Sequence, residues 1–581
     1  MPYDASARPP VPAFSRTFFG ARETFTRIGT GELGGKANGL RFIRDVLASR
    51  LDATRFPAVR IDVPTLTVLA TDVFDRFLQL NELEAVLGQG LADGRLALAF
   101  QRGQFPPELV GDLRALVDQV RSPLAIRSSS LLEDALYRPF AGVYATKMIP
   151  NNQPDADTRF RTLVEAVKFV YASTFFRGAR HYRETTGADA EKMAVVIQEV
   201  VGRRHDRRFY PDVSGVARSW NFYPSGRARP ADGVITLALG LGKTIVDGGI
   251  AWSYSPARPR ALPPVASARD LVKNTQRDFW AVNMGPPPAY DPLIETEYLA
   301  KGDLADAEFD GVLASLASTY DAQSDRLTLG TGRPGPRALT FAPLLDAELL
   351  PLNPLLGELV QISEAATGGA VEIEFALTIE GGPGSAARLG FLQVRPMAVP
   401  AEEIDVELAE FEAPDVLVAS DLTMGNGRNL TLRDIVYVRP EAFDVRVTRE
   451  VARELEAVNR ELVECGRHYV LIGFGRWGSS DPWLGIPIGW DDISGARALV
   501  EAQLESFRVE PSQGSHFFHN LMSFGVSYFA VPAGGRGRID WPWLDGTEAV
   551  REGRYVRHVA VGAPLRIAVD GRTGRGVICR P

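Results

Sequence analysis

The sequence predicts a mixed α/β or α+β enzyme fold, and three observations lead to that prediction. Short apolar runs typical of buried strands, such as MAVVIQEVV at 193–201, alternate with stretches whose apolar residues recur at helical spacing. Glycine-rich loops join several of these elements. The 581 residues are 45% hydrophobic and 23% charged, an ordinary globular mixture with enough apolar residues for a large core. This composition excludes a disordered or fibrous chain.

Charge and cysteine content exclude further classes of protein. The net charge of −8 argues against a protein that coats nucleic acid or an anionic membrane. Cys465 and Cys579 are too few for a disulfide scaffold or a cysteine-ligated zinc site. No apolar run reaches the ~18 residues of a membrane span, and the Pro-rich tail at 1–20 lacks the apolar core of a signal peptide. We therefore expect a cytoplasmic protein with neither nucleic acid nor a membrane as partner.

The elements of the first 400 residues follow from local patterns. LGGKANGL at 33–40 is a glycine turn that opens a helix, because Leu40, Ile43 and Val46 recur at helical spacing. VEIEFALTIEGG and RLGFLQVRPM alternate polar and apolar positions around a short turn, which predicts a β-hairpin over 371–397. The other predictions are an apolar strand ending in a serine loop (SPLAIRSSS), helices at 82–120 and 158–187, strands at 193–201 and in GVITLAL, and a Pro-rich insertion with a polar helical stretch at 256–340.

A second domain of unknown role is predicted beyond an acidic linker at 401–413. It covers residues 414–581 and again mixes strands with helices. The patterns predict strands near 434–438 and 467–474 and helices at 448–465 and near 493–508.

Two loops carry cations that suit a bound phosphate. Lys36 follows two glycines at the start of a helix, where free backbone N–H groups and the positive end of the helix dipole attract anions. Arg127 adjoins the serine loop. Only seven of the 64 basic residues are lysines, and Lys36 and Lys243 both stand in glycine-rich loops. A lysine kept in such a loop suits a position that needs a compact ammonium, although taken alone these lysines are better explained as ordinary surface residues.

The predicted hairpin carries the side chains that a metal–nucleotide site needs. Glu372 and Glu374 are two residues apart on one strand and therefore share a face. Gln393 and Arg395 share a face of the returning strand in the same way. Carboxylate and amide oxygens can hold Mg²⁺ against nucleotide phosphates. Paired glutamates on a strand more often mark a solvated face, so these residues indicate a nucleotide site only in combination.

Taken together, the segments match a known family. LGGKANGL, AIRSSSLLEDALYRPFAGVYAT, MAVVIQEVV with SGVARS, GLGKTIVDGG, and EIEFAL followed by LQVRPM occur in this order. They resemble the N-terminal nucleotide-binding domain of pyruvate phosphate dikinase and phosphoenolpyruvate synthase (pyruvate, water dikinase), which rifampin phosphotransferase and glucan water dikinase share. The resemblance covers about residues 20–400. It implies an ATP-grasp fold with Mg-ATP between two lobes, built from 21–255 and 341–400 around the insertion.

The resemblance also implies roles for single residues. Lys36, Arg127 and Arg395 would bind phosphates and act in catalysis, and the strand around Gln198 to Val201 would meet adenine through its backbone. The implied nucleotide-binding set is Gly35, Lys36, Arg127, Ser128, Gln198, Glu199, Val201, Lys243 and Arg395. The implied metal set is Glu372, Glu374 and Gln393. The chain departs from the family at Glu372, an aspartate in the dikinase, and at Lys243, where the family often has an acid.

Two further domains of the full-length dikinases have no counterpart in this sequence. Those enzymes carry a swivelling domain with a phosphoacceptor histidine in a Thr-Ser/Cys-His-Ala motif, followed by a barrel that binds phosphoenolpyruvate. The motif is absent here, and residues 401–581 are too few for both domains. Synthesis of phosphoenolpyruvate by this chain alone is therefore not expected.

The C-terminal domain offers two weaker signals. Gly473, Gly475 and Gly478 follow an apolar strand with dinucleotide-binding spacing, but more glycines and a proline follow where that motif requires a helix. PSQGSHFFHNLMSFG predicts a capped helix in which His516 and His519 share a face. Three interpretations of these histidines stay open: structural side chains, a phosphoryl acceptor or acceptor-site base, and a metal pair.

Two classes of function fit the sequence. The first is an ATP-dependent phosphotransferase that passes phosphoryl to a small-molecule or protein acceptor, including a separate phosphohistidine protein. The second is a catalytically reduced ATP-binding regulatory or partner-dependent subunit. The complete set of lysine, arginine and glutamates favours the enzyme, because a binding module does not need both metal acids.

Overall fold

The computed structural model describes residues 10–16, 24–130, 143–186, 191–222, 228–261, 267–380, 386–397, 404–479, 481–489, 491–507, 509, 526–571 and 573–581. These residues form two compact units. The first comprises the described residues of Met1–Ser219, Gly233–Thr244 and Ile250–Met397. The second comprises those of Trp220–Asp232, Ile245–Gly249 and Ala398–Pro581.

Helices and strands mix throughout the first unit, which confirms the predicted α/β class. Its strands are β1 Phe25–Ile28, β2 Val59–Asp62, β3 Leu66–Leu69, β4 Leu124–Ser130, β5 Thr146–Ile149, β6 Met193–Glu199, β7 Arg203–His205, β8 Arg208–Tyr210, β9 Val213–Arg218, β10 Val234–Ala238, β11 Trp252–Tyr254, β12 Asp278–Asn283, β13 Leu299–Asp303, β14 Ala317–Asp321, β15 Arg326–Leu329, β16 Arg337–Leu339, β17 Val371–Ile379 and β18 Ala387–Pro396. Its helices are α1 Gly34–Arg50, α2 Thr71–Leu80, α3 Leu83–Leu87, α4 Asp93–Arg102, α5 Pro107–Gln119, α6 Ala156–Ser173, α7 Arg177–Thr186, α8 Lys243–Val246 (which begins in this unit), α9 Ala268–Lys273, α10 Leu304–Phe309, α11 Ala342–Leu345 and α12 Leu352–Thr367.

Two sheets of the first unit carry most of the residues predicted to bind nucleotide. The serine-strand sheet has the order β1-β3-β6-β4-β5, with β1 and β3 parallel and the other neighbours antiparallel. The hairpin sheet has the order β11-β10-β9-β17-β18-β2 and is antiparallel except where β18 pairs with β2. Two smaller antiparallel sheets have the orders β13-β12-β8-β7 and β15-β14-β16.

Helix α1 packs against the serine-strand sheet and the hairpin sheet. Its apolar face, including Leu40 and Ile43, is fully buried, as its helical spacing predicts. These side chains belong to one hydrophobic cluster with Val196 of β6 and Phe375 of β17, and α1 contacts both β4 and β18. The core of the unit therefore fixes the start of α1 relative to the serine strand and the hairpin.

The second unit is built on a seven-stranded sheet. The strands of the unit are β19 Val416–Ser420, β20 Thr423–Met424, β21 Gly427–Asn429, β22 Asp434–Val438, β23 Tyr469–Phe474, β24 Arg476–Trp477, β25 Gly485–Ile486, β26 Ala496–Ala502, β27 Ser527–Val531, β28 Arg538–Ile539, β29 Ala549–Glu552, β30 Val556–Ala560, β31 Arg566–Asp570 and β32 Arg575–Cys579, and the described helices are α13 Thr448–Glu464 and α14 Trp541–Gly546. The large sheet has the order β20-β27-β26-β23-β22-β30-β29, and its four central strands are parallel. A five-stranded sheet, β21-β31-β32-β19-β28, is antiparallel where its pairs are described.

The predicted helix near 493–508 is wrong. Residues 496–502 form β26, which is parallel to a neighbour on each side. Val500 is buried in one hydrophobic cluster and Leu499 in another, so both faces of the strand are covered. A strand covered on both faces is apolar throughout, and periodicity cannot distinguish such a short run from a buried helix.

Two smaller predictions also need correction. The helix predicted over 158–187 is divided into α6 and α7, with a break after Ser173. The described residues of 256–340 contain five strands as well as two short α-helices, where a polar helical stretch was predicted. Among the described residues, no helix combines the length and the apolar character needed to cross a membrane.

Candidate nucleotide site

The first turn of α1 lies against the end of β4. Gly34 has a φ of +77°, and a Cβ at this position would overlap the carbonyl oxygen of Ser129, so only glycine fits. The Ser129 hydroxyl accepts a hydrogen bond of 3.1 Å from the backbone N–H of Ala37. Lys36 Nζ donates to Ser128 Oγ over 3.1 Å. The glycine turn therefore holds the Lys36 ammonium beside buried serines of the neighbouring strand.

Arg127 of β4 connects three strands. Its guanidinium donates to Gln393 Oε1 at 2.7 Å and to the carbonyl oxygen of Leu392 at 2.9 Å, both on β18. It also reaches Gln198 Oε1 on β6 at 3.3 Å and Glu374 Oε2 on β17 at 3.4 Å. Residues that lie far apart in the chain thus meet around one cation.

Glu372 is enclosed by two arginines. The central strand β17 places it opposite Arg218 of β9 on one side and Arg395 of β18 on the other. Arg218 Nε donates to Glu372 Oε2 at 2.5 Å, and Arg395 Nε donates to Oε1 at 2.7 Å. The residue is only 1% exposed. Both carboxylate oxygens therefore accept charge-assisted hydrogen bonds in a site closed to water.

Glu374 lies on the same face but in a more open position. Its side chain is 16% exposed, and its oxygens lie 3.4 Å from Arg127 and 3.6 Å from Arg395. Gln393 is directly opposite it in the hairpin register. We use the name Arg127 cluster for the linked side chains of Arg127, Gln198, Arg218, Glu372, Glu374, Gln393 and Arg395. The cluster has three cations and two carboxylates, and this positive excess suits an anionic ligand.

The strand predicted to meet adenine, β6, continues from the Arg127 cluster. Gln198 is 2% exposed, and while its Oε1 accepts from Arg127, its Nε2 has no hydrogen-bond partner. The backbone N–H of Glu199 donates to Thr65 O at 2.9 Å. Val201, two residues further on, is 3% exposed. A buried amide donor without a partner costs free energy, so an acceptor on a ligand would be favourable at Gln198.

Lys243 is the first residue of α8 and follows the glycine loop after β10. Its ammonium lies 3.6 Å from Glu295 Oε1. Ser214 Oγ of β9 donates to the carbonyl oxygen of Gly240 in that loop at 2.6 Å. The loop is thereby bound to the strand that neighbours β17.

Comparison with known protein families supplies an identity for this part of the chain. A family model described as pyruvate phosphate dikinase, AMP/ATP-binding domain matches residues 30–414. The chain belongs to this family. No curated protein matches the chain.

The match has direct consequences for the first unit. The AMP/ATP-binding domain includes Lys36 and every residue of the Arg127 cluster. The first unit is therefore a two-lobed nucleotide-binding domain of a kinase-like, ATP-utilising enzyme family, as the resemblance in the sequence implied. Most of the second unit, from residue 415 onward, lies beyond the matched residues.

The structure brings most of the predicted site residues together, but not all. The Arg127 cluster unites the predicted phosphate residues Arg127 and Arg395 with the predicted metal residues. Lys36, which follows Gly35, lies beside Ser128. Lys243 contacts Glu295 of the Pro-rich segment. His516 and His519 lie outside the described residues. Within the part of the chain that the structure describes, no three His, Cys, Asp or Glu side chains converge as metal ligands.

Sequence reasoning missed two residues of this region. Arg218 stands in the quoted segment SGVARS, but its pairing with Glu372 depends on strands separated by more than 150 residues. Glu295 lies in a Pro-rich stretch without a recognisable motif. The alternation of SGVARS, which places Arg218 on the same strand face as Ser214 and Val216, is the one signal that could have indicated the first of them.

Proposed function

We propose that this chain is an ATP-dependent phosphotransferase of the dikinase type, which binds Mg-ATP at the Arg127 cluster and transfers a phosphoryl group to an acceptor. The observation that carries the proposal is the position of Arg127, within hydrogen-bond reach of Gln198, Gln393 and Glu374. Lys36 adds an ammonium beside Ser128, the residue that follows Arg127. A polyphosphate placed against these groups would meet cations and amide donors from several strands.

The oxygen donors of the hairpin fit Mg²⁺. Glu374 is partly exposed, its contacts with arginines are long, and Gln393 presents an amide oxygen opposite it. Mg²⁺ is usually held by one or two carboxylates together with phosphate oxygens and water. Glu372 fits less well, because two arginines already occupy its buried carboxylate. We therefore assign Glu374 and Gln393 to the metal, which when bound would neutralise charge on the phosphates.

The protein side chains would act by position and charge. Lys36 and Arg127 would bind the phosphates, and Glu372 would hold Arg395 on the same sheet face, aimed at the transferred group. The strand from Gln198 to Val201 would receive adenine. Phosphoryl transfer requires little covalent chemistry from the protein, so fixed cations around the transferred group account for most of the catalysis.

The acceptor is proposed to be a small molecule or a protein, including a separate phosphohistidine protein. A second candidate function is a catalytically reduced regulatory subunit that closes on ATP without turnover. The retention of the more exposed Glu374 favours the enzyme, because a partly buried carboxylate beside a phosphate would oppose binding unless a metal were present.

Replacement of Glu374 with Gln tests the proposal. It removes the metal-facing charge and keeps the shape of the side chain, so ATP consumption in the presence of Mg²⁺ should fall to background. In the absence of Mg²⁺, the variant should bind ATP at least as tightly as the parent does. Product chromatography would separate ADP from AMP plus phosphate. The matched control is Glu380→Gln at the exposed end of β17, which should leave the rate unchanged. Equal rates in Glu374→Gln and the parent would disprove the metal assignment, and absence of turnover in the parent with all acceptors tested would favour the regulatory function.

A further inference from the structure

A buried lysine anchors the segment between β12 and β13. We call residues 290–298 the clasp loop. Lys147 of β5, whose side chain is 1% exposed, donates to the carbonyl oxygen of Pro292 at 3.0 Å and pairs with Glu297 Oε2 at 2.7 Å. Burial lowers the pKa of Lys147, and the adjacent Glu297 carboxylate opposes that shift. A buried ion pair is costly unless further hydrogen bonds complete it, and the Pro292 carbonyl supplies one.

The clasp loop has further fixed points. Glu297 Oε1 accepts from the backbone N–H of Asp291 at 3.0 Å, so one carboxylate bonds both Lys147 and the start of the loop. The Tyr290 hydroxyl donates to Glu165 Oε1 on α6 at 3.0 Å. Residues on both sides of Glu295 are therefore held to the serine-strand sheet and to α6. The backbone of Glu295 has little freedom.

The side chain of Glu295 contacts Lys243, the lysine of the glycine loop. Glu295 Oε1 lies 3.6 Å from Lys243 Nζ, and the side chains are 42% and 18% exposed. An ion pair with this exposure contributes little to stability. Its consequence is geometric, because a long lysine side chain that would otherwise sample many rotamers is directed by a carboxylate on a fixed loop.

Lys243 follows a loop that packs on β9. A Cβ on the preceding residue, Gly242, would lie in ordinary van der Waals contact with Ser214 Cβ, at 3.6 Å. Ser214 is opposite Ala376 in the sheet, two residues beyond Glu374 on the same face. A lysine side chain at this position can therefore reach a phosphate chain that extends from Glu374 along the sheet.

We propose that Glu295 is a positioning residue, which directs Lys243 towards the terminal phosphates of ATP and so favours the nucleoside triphosphate over the monophosphate. The inference rests on the proposed function, since it assumes that the phosphates of ATP lie on the Glu374 face. The clasp loop is anchored through Lys147, Glu297 and Tyr290, and it presents the Glu295 carboxylate to Lys243.

Binding of ATP and of AMP, measured by calorimetry with Mg²⁺, tests the inference. Lys243→Met should weaken ATP about tenfold or more, since a hydrogen bond to a charged group is lost, and change AMP less than about twofold. Glu295→Gln should weaken ATP about threefold. Removal of a negative charge near the phosphates would by itself strengthen ATP binding. The direction of the change in ATP affinity therefore distinguishes a positioning role from simple Coulomb repulsion. In the Lys243→Met background, Glu295→Gln should no longer weaken ATP.

The control is Lys301→Met, which breaks an exposed pair of similar length with Asp278 in the same unit and should leave both ligands unaffected. Tighter ATP binding by Glu295→Gln, or the same loss in the presence and absence of Lys243, would overturn the inference. If the parent protein binds ATP and Lys243→Met binds ATP with the same affinity, the inference is overturned but the proposed function stands. A parent protein that does not bind ATP would overturn both.

Discussion

Each unit contains a buried acid that contacts two basic side chains. In the first unit Glu372 lies between Arg218 and Arg395 on neighbouring strands. In the second unit Asp434 accepts from Arg467 Nε at 3.0 Å and lies 2.8 Å from His558 Nε2. The acids are 1% and 4% exposed. The immediate chemistry of the two positions is nearly the same.

The surroundings of the two acids differ, and this difference distinguishes the candidate site from a structural ion pair. Next to Glu372, on the same face of β17, is Glu374, whose side chain is 16% exposed and lies 3.4 Å from the guanidinium of Arg127 on β4. Asp434 is the first residue of β22, at the amino end of the parallel strands, whereas ligands of open α/β sheets bind outside the carboxyl ends. Buried ion pairs alone therefore do not indicate function, and a partly exposed acid beside one does.

The largest effect is expected at Glu372. Glu372→Gln keeps the shape but leaves two arginines, each 7% exposed at the side chain, without their carboxylate. Loss of one partner of a buried ion pair costs about 3–5 kcal/mol. Urea unfolding of the first unit, followed by circular dichroism, should show this loss. Glu374→Gln serves as the comparison and should cost less than about 1 kcal/mol, so equal losses would refute the separation of the two glutamates.

A smaller, pH-dependent loss is expected at Asp434. Burial alone would raise its pKa, but hydrogen bonds from His558 and Arg467 outweigh burial and hold the pKa below its ordinary value of 3.8. A depressed pKa stabilises the fold above the ordinary value, and that contribution is lost as the pH falls through the folded-state value. Asp434→Asn should therefore cost about 2 kcal/mol at pH 7. The deficit against the parent should shrink below about pH 4, and a deficit that stays constant down to pH 2 would contradict the assignment.

These comparisons also show how far the sequence could predict the site. The motif order located Lys36, Arg127, Glu374 and Gln393, because each stands next to a local signal such as a glycine turn or an alternating strand. The enclosure of Glu372 by Arg218 was not predictable, since it results from the pairing of β9 with β17 across the chain. No alternation within a single strand specifies which strand will be its neighbour.

The fold was predictable to a similar extent. The hairpin at 371–397 and the helix at 448–465 agree with β17, β18 and α13 to within a few residues, because each has a clear period. Strand β26 was predicted as a helix because it is covered on both faces and shows no alternation. Hydrophobic periodicity reveals an element that has one solvent-facing side. It gives no signal for an element in which neither side faces solvent.

A binding effect of intermediate size is expected for Lys36. Lys36→Ala removes an ammonium held beside Ser128 at the end of the helix where phosphates are favoured. ATP should bind about tenfold more weakly, in keeping with the loss of one charge-assisted hydrogen bond, and adenosine should bind as in the parent. Calorimetry with both ligands measures the difference. Equal weakening of ATP and adenosine would mean that Lys36 supports the fold and does not contact the phosphates.

The last prediction is that no effect is seen: we expect no phosphoryl group to become covalently bound to the second unit. If the chain ran a dikinase half-reaction by itself, a histidine would have to accept the phosphoryl group, and His516 and His519 are the candidates that the sequence offers. Phosphohistidine is labile in acid and stable in base, unlike phosphoserine. Incubation with β- or γ-labelled ATP, followed by acid and base treatment, would reveal it.

We expect no acid-labile label on the protein, and transfer instead to a diffusible acceptor or to a separate protein. An acceptor histidine in the full-length dikinases belongs to a mobile domain, whereas the sequence around His516 and His519 carries four large apolar residues, which predict a helix packed in place. Acid-labile label that disappears in His516→Ala or His519→Ala, with ATP binding intact, would contradict this expectation. It would also change the comparison between the two units, because the second unit would then take part in the chemistry that we place in the first.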